Sequence, residues 1–205
     1  MSYPISELQR DTLIEIFNIG VGRAAHSLSQ IVQEEIKLSV PSLRILSFRE
    51  APRANLGIDS EHVCAVSQRF SSQFDAEAML IFPEGKTQEI VRRMLGESIT
   101  AEELNQMEQE ALSEIGNIIL NACISAFSSL FGSEFTSTLP VYHLGTPEET
   151  IGKNVSNPDD LLMLLHIDFA LPRDQINGYL VFLLDLPSFQ LLLEQVDRYL
   201  AQFTG

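Results

Sequence analysis

Two stretches decide the fold: residues 6–32, SELQRDTLIEIFNIGVGRAAHSLSQIV, and residues 100–131, TAEELNQMEQEALSEIGNIILNACISAFSSLF. Each opens on a hydroxyl side chain with Gln or Glu three positions later, Ser6 with Gln9 and Thr100 with Glu103, the reciprocal pattern that satisfies the orphan N–H groups of a helix start. In the first, Leu13, Phe17, Gly20, Ala24, Leu28 and Ile31 recur at threes and fours; in the second, Leu104, Met107, Ala111, Ile115, Ile118, Ala122 and Phe127 do the same. The spacing predicts helices over about 7–32 and about 101–131.

A similar succession follows each helix. Residues 41–48, 62–70 and 78–82 read as strands, closed by Pro83 and an amphipathic stretch to about Leu95. Residues 135–144, 161–169 and 178–185 are the strand candidates of the second half, and Pro187 stands where a proline starts a last helix, ending near Phe203. Segments 49–61 and 145–160, rich in Pro, Gly, Asn and Asp, read as surface loops at matching places. The plan is helix, three strands, helix, written twice. Because the long helices are apolar on most of their circumference and need cover from both sides, one pseudo-symmetric domain over 1–205 is expected, with repeats at about 7–95 and 101–203.

Composition narrows the function classes. The 205 residues carry a formal net charge of −15, which opposes binding to a nucleic-acid backbone or an anionic membrane surface. A hydrophobic content of 45% is too high for a disordered acidic chain. Cys64 and Cys123 make no secreted-type disulfide framework, and the start MSYPISELQRD lacks a basic region followed by an apolar one, so a cytoplasmic protein is expected. The apolar stretch 115–131 is broken by Gly116, Asn117, Asn121 and serines, and reads as a buried helix rather than a membrane span. His26, His62, His143 and His166 stand apart with no HExxH or CxxC spacing, so no metal or cofactor of its own is expected.

A polar stripe runs along each long helix. Asp11, Glu15 and Asn18 lie at i, i+4 and i+7, within a wedge of roughly 60°. Glu110, Glu114 and Asn117 repeat that spacing, and the stripe continues through Gly22 in the first copy and Asn121 in the second. A polar stripe is ordinarily a solvated face. Two copies on the most apolar helices of the chain argue instead for a site.

Here the sequence resembles the CheC, CheX and FliY phosphatases of bacterial chemotaxis, whose motif is Asp or Ser, three residues, Glu, two residues, Asn, then 22 residues and Pro. Asp11, Glu15, Asn18 and Pro41 fit it, and so do Glu114, Asn117 and Pro140; Glu110 departs from it, standing where Asp or Ser is expected. The resemblance covers nearly the whole chain. It implies an α/β fold of the α+β kind: a pseudo-twofold repeat with a mainly antiparallel sheet and two long motif-bearing helices. It also implies hydrolysis of the aspartyl phosphate of a CheY-type response regulator. Asn18 and Asn117 would then position water, each carrying a donor and an acceptor on one rigid amide. Glu15 and Glu114 would pair with the regulator's active-site lysine, with Asp11, Glu110 and Asn121 in support. Magnesium is expected on the phosphorylated receiver, since one Glu and one Asn per site make a poor cage for an ion that demands six oxygens.

The alternative is a non-catalytic module that binds a response regulator or a CheD-like deamidase without turnover. Neither the N-terminal motor-binding segment nor the C-terminal domain of the longer switch-associated members is expected. Pro41 and Pro140 read as structural, placed where strands begin, and charge near the first turns is the structural reading of Asp11 and Glu110. Residues 20–25, GVGRAA, match the G-x-G-x-x-A form of a dinucleotide-binding turn, but the helical period runs through both glycines. Gly20 and Gly22 are expected to admit a neighbouring backbone instead.

Overall fold

In the computed structural model, residues 5–50, 58, 60–95, 99–153, 155, 157–171 and 175–203 are described. Both capping boxes close. Ser6 and Gln9 start α1 (Glu7–Val32), and Thr100 and Glu103 start a later, longer helix over Ala101–Phe131. After α1 come β1 (Lys37–Ser47), β2 (Val63–Ser71), β3 (Asp75–Pro83) and α2 (Thr87–Leu95). The second half begins with α3 (Ala101–Phe131) and continues with β4 (Thr136–Ser137), β5 (Val141–Gly145), α4 (Pro147–Gly152), β6 (Leu161–Ala170), β7 (Gln175–Leu184) and α5 (Leu186–Ala201).

The strands form one antiparallel sheet in the order β1-β6-β7-β3-β2-β4, with β5 also paired to β2. Matching β5, β6 and β7 with β1, β2 and β3 makes that order read the same from either edge. The registers agree: Ser42 faces His166 and Val141 faces Ser67, and 141 − 42 and 166 − 67 are both 99. The two motif asparagines are 99 positions apart as well, 117 − 18. Leu80 and Leu180 face each other where β3 meets β7, at the middle of the sheet.

Helices α1, α2, α3 and α5 cover one face of the sheet. Phe17 of α1 is fully buried, 5.0 Å from the ring of Phe127 on α3 and 4.9 Å from that of Phe182 on β7. The two helices cross at Gly20, where an added Cβ would lie 2.6 Å from Cys123 Cα, so the absent side chain sets the approach of the backbones. Gly22 has no such role: it is exposed, and an added Cβ would meet nothing within 4 Å. A smaller core on the other face gathers Ala65, Met79, Ile81, Leu162 and Val181 under Ile151 of α4. By length and composition α3 could cross a membrane; it turns Leu112, Ile115, Ile119 and Phe127 into the core instead.

Three expectations change. Residues 135–144 are two short strands separated by Thr138, Leu139 and Pro140, because a proline contributes no N–H to the ladder. Segment 145–160 contains α4, whose Thr146 N-cap, Pro147 and Glu149 form a third capping box. Pro41 lies inside β1, not at its start, at a bulge where the register slips by one residue between Ser39 and Ser42. In the other expected loop, 49–61, residues 51–57 and 59 lie outside the described residues.

Candidate active site

The stripe residues stand as helical spacing places them. Asp11 and Glu15 are exposed on α1 and Asn18 is half-buried; Glu110 and Glu114 are exposed on α3 and Asn117 is half-buried. Glu110 lies well past the first turn of α3, so capping does not explain it. The carboxylates reach solvent, while each asparagine reaches back toward the sheet.

What the two asparagines meet there differs. Asn18 Nδ2 donates to the carbonyl of Val40 at 3.2 Å, and its Oδ1 accepts from the Val40 N–H at 2.9 Å. Val40 and Pro41 form the bulge of β1, outside the β6 ladder. The side-chain amide of Asn18 thus stands in for the missing strand partner and satisfies a peptide unit whose residue is 1% exposed.

Asn117 meets side chains instead. Its Oδ1 accepts from Asn121 Nδ2 at 2.7 Å and from Gln68 Nε2 at 3.2 Å. Gln68 Nε2 also donates to the Thr138 carbonyl at 3.0 Å, and Gln68 Oε1 accepts from Asn121 Nδ2 at 3.3 Å. Asn121 further donates to the Asn117 backbone carbonyl at 2.8 Å. With its oxygen held inward by two donors, Asn117 keeps its Nδ2 amine without a protein acceptor among the described residues. Asn117 itself lies on the Glu114 stripe, one turn on.

The sequence at the two bulges explains the difference. Val40 corresponds to Leu139 at the 99-residue offset, and Val40 is 1% exposed whereas Leu139 is 84% exposed. Gln68 corresponds to Ile167, an apolar residue fully buried on β6. A buried carboxamide on β2 therefore replaces the strand backbone as the partner of the motif asparagine. Gln68 was not singled out by sequence reasoning; its signal was a polar residue on the inward face of a strand whose Cys64, Val66 and Phe70 all enter the core.

Elsewhere the titratable groups serve structure. Cys64 and Cys123 are free and buried; burial pushes the Cys123 thiol up to about 12 and raises that of Cys64. His143 Nε2 lies 2.9 Å from Ser67 Oγ, and burial lowers its pKa. Among the described residues no group of three or more His, Cys, Asp or Glu is arranged to hold a metal ion.

The fold and the doubled stripe have counterparts among known proteins. The family model described as chemotaxis phosphatase CheX matches residues 64–157, a span holding both Gln68 and the second motif. The CheY-P phosphatase CheC of Bacillus subtilis is 28% identical over 139 residues, covering 66% of this chain and 66% of that protein. The flagellar motor switch phosphatase FliY of the same organism is 24% identical over 170 residues, covering 82% of this chain. The chain spans under two thirds of these relatives, 66% of CheC and 43% of FliY. Among solved structures, Thermotoga maritima FliY superposes with a TM-score of 0.76 at 17% identity, covering 98% of this chain and 99% of that one. The CheX–CheY–BeF3–Mg2+ complex of Borrelia burgdorferi matches at a TM-score of 0.51 and 16% identity, covering 84% and 98%; these likenesses establish the fold. The chain is similar in sequence to the CheC and FliY phosphatases and, over residues 64–157, to the CheX family, and it shares their fold.

Proposed function

We propose that this chain hydrolyses the aspartyl phosphate of a CheY-type response regulator in chemotaxis signalling, with Glu114 and Asn117 as the main site and Glu15 and Asn18 as the lesser one. The observation that carries the reading is the Asn117 amide, anchored through its oxygen while its Nδ2 has no protein acceptor among the described residues. An acyl phosphate is already activated, so the assisting protein has chiefly to place a water in line with phosphorus. An amine donor engages one lone pair of that water and leaves the other to attack. The water oxygen bonds to phosphorus, the bond from phosphorus to the aspartyl oxygen breaks, and phosphate and a free aspartate carboxylate result, with the water's proton passing to phosphate or solvent.

Glu114, one turn earlier and exposed, offers a carboxylate to a lysine ammonium of the receiver, a charge-assisted contact that fixes docking and register. Asp11, Glu110 and Asn121 support the two stripes, Asn121 through its bond to Asn117. Magnesium belongs to the phosphorylated receiver, as the composition of the CheX–CheY complex suggests. A soluble receiver as substrate puts this chemistry in the cytoplasm. A CheD-type deamidase is the further partner that the resemblance implies, and a pull-down with that protein tests it.

Incubating phosphorylated receivers from the same cell with substoichiometric amounts of the chain tests the function. Multiple turnovers of phosphate release, dependent on magnesium, are expected. A stoichiometric complex without release would instead identify the binding module.

A further inference from the structure

We infer that Gln68 is a positioning residue of the second site: its buried carboxamide, on a strand outside the motif, sets which end of the Asn117 amide faces the receiver. The inference rests on the phosphatase reading of that site. Gln68 is 2% exposed, and its carboxamide is fully engaged by Asn117, Asn121 and the Thr138 carbonyl. A glutamine in the hydrophobic core costs free energy unless every polar atom is paired. The corresponding place in the other half holds Ile167, fully buried, and the core there has no need of an amide.

The bond pattern gives Gln68 a direction as well as a partner. Its Nε2 amine meets Asn117 Oδ1, which turns the Asn117 amine outward. A carboxylate at this position would have the same shape but no donor, and would draw the Asn117 amine inward. Gln68→Glu and Gln68→Met therefore separate packing from orientation, since both preserve volume and both remove the donor. Asn121 reaches the same oxygen from one turn along α3 and also donates to Gln68 Oε1, so Asn121→Ala weakens the same restraint from the helix side.

The kinetics are best measured in a Glu15→Lys background, where like charge keeps the receiver lysine off the first site. Gln68→Met and Gln68→Glu are each expected to lower kcat about ten- to hundredfold. KM for the phosphorylated receiver should change less than about twofold, because Glu114 still docks it. In an Asn117→Ala protein the same changes should have no further effect on rate, as expected of a residue that acts through Asn117. Nitrogen-15 NMR of the Asn117 side-chain amide gives a readout independent of activity: ordered in the unsubstituted chain, mobile or reoriented in the Gln68 variants. If those variants do not fold, Asn121→Ala should show the same kcat loss and the same amide mobility. An active parent whose kcat and Asn117 amide survive loss of Gln68 or of Asn121 overturns the inference. No phosphate release by the unsubstituted chain overturns the phosphatase reading instead, and the amide signal then decides Gln68's role by itself.

Discussion

At the scale of single residues, Asn18 and Asn117 occupy the same place in the motif and do different work. Asn18 closes both hydrogen bonds of the Val40 peptide at the β1 bulge, so Asn18→Ala leaves a buried N–H and C=O unpaired and should cost about 1–3 kcal/mol of stability. Asn117→Ala should cost most of the activity and a similar amount of stability, about 1–3 kcal/mol, since it leaves a buried Gln68 N–H without its Asn117 acceptor. Thermal unfolding and initial rates on the two single variants and the double variant check this, with partial activity expected from Asn18→Ala and none from the double change. The spacing of Glu and Asn was legible in the sequence because a helix fixes angles locally. The amides' partners were not, because a strand bulge and a residue 49 positions away, Gln68, are matters of tertiary placement.

At the scale of elements, the long helices were legible to the residue: capping boxes and apolar period both act within a few turns. Sheet details were less so. The proline in β1 hid the strand's true start at Lys37, and α4 went unread although Thr146, Pro147 and Glu149 carry a capping box, because six residues are too few to show a period. The glycine pair in α1 yields a prediction at this scale. Gly20→Ala drives a Cβ against the Cys123 backbone, which has no side-chain freedom to yield, and should destabilise by about 1–3 kcal/mol. Gly22→Ala, at an open helical position, should stabilise by about 0.5–1 kcal/mol. Opposite shifts in denaturation midpoint are the expected result, and equal shifts would place the helix crossing elsewhere.

At the scale of the whole molecule, the sheet reads alike from both edges, with strand pairs related by the offset that relates the motifs. Residues 7–95 and 101–203 should therefore superpose about a pseudo-twofold axis near Leu80 and Leu180 in a crystal structure, with α1 falling on α3; unrelated topologies for the halves would contradict this. The repeat was visible in the sequence as element order and equal spacing. Its structural inequality was not, because it lies in what each bulge presents: a buried Val40 in one half, an exposed Leu139 and the Gln68 carboxamide in the other. The most direct test is the decay of receiver acyl phosphate, with magnesium, under substoichiometric chain bearing either Asn18→Ala or Asn117→Ala. The predicted result is that Asn18→Ala keeps most of the turnover and Asn117→Ala loses most of it; turnover that survives Asn117→Ala and vanishes with Asn18→Ala, or no turnover by the unsubstituted chain, would contradict it.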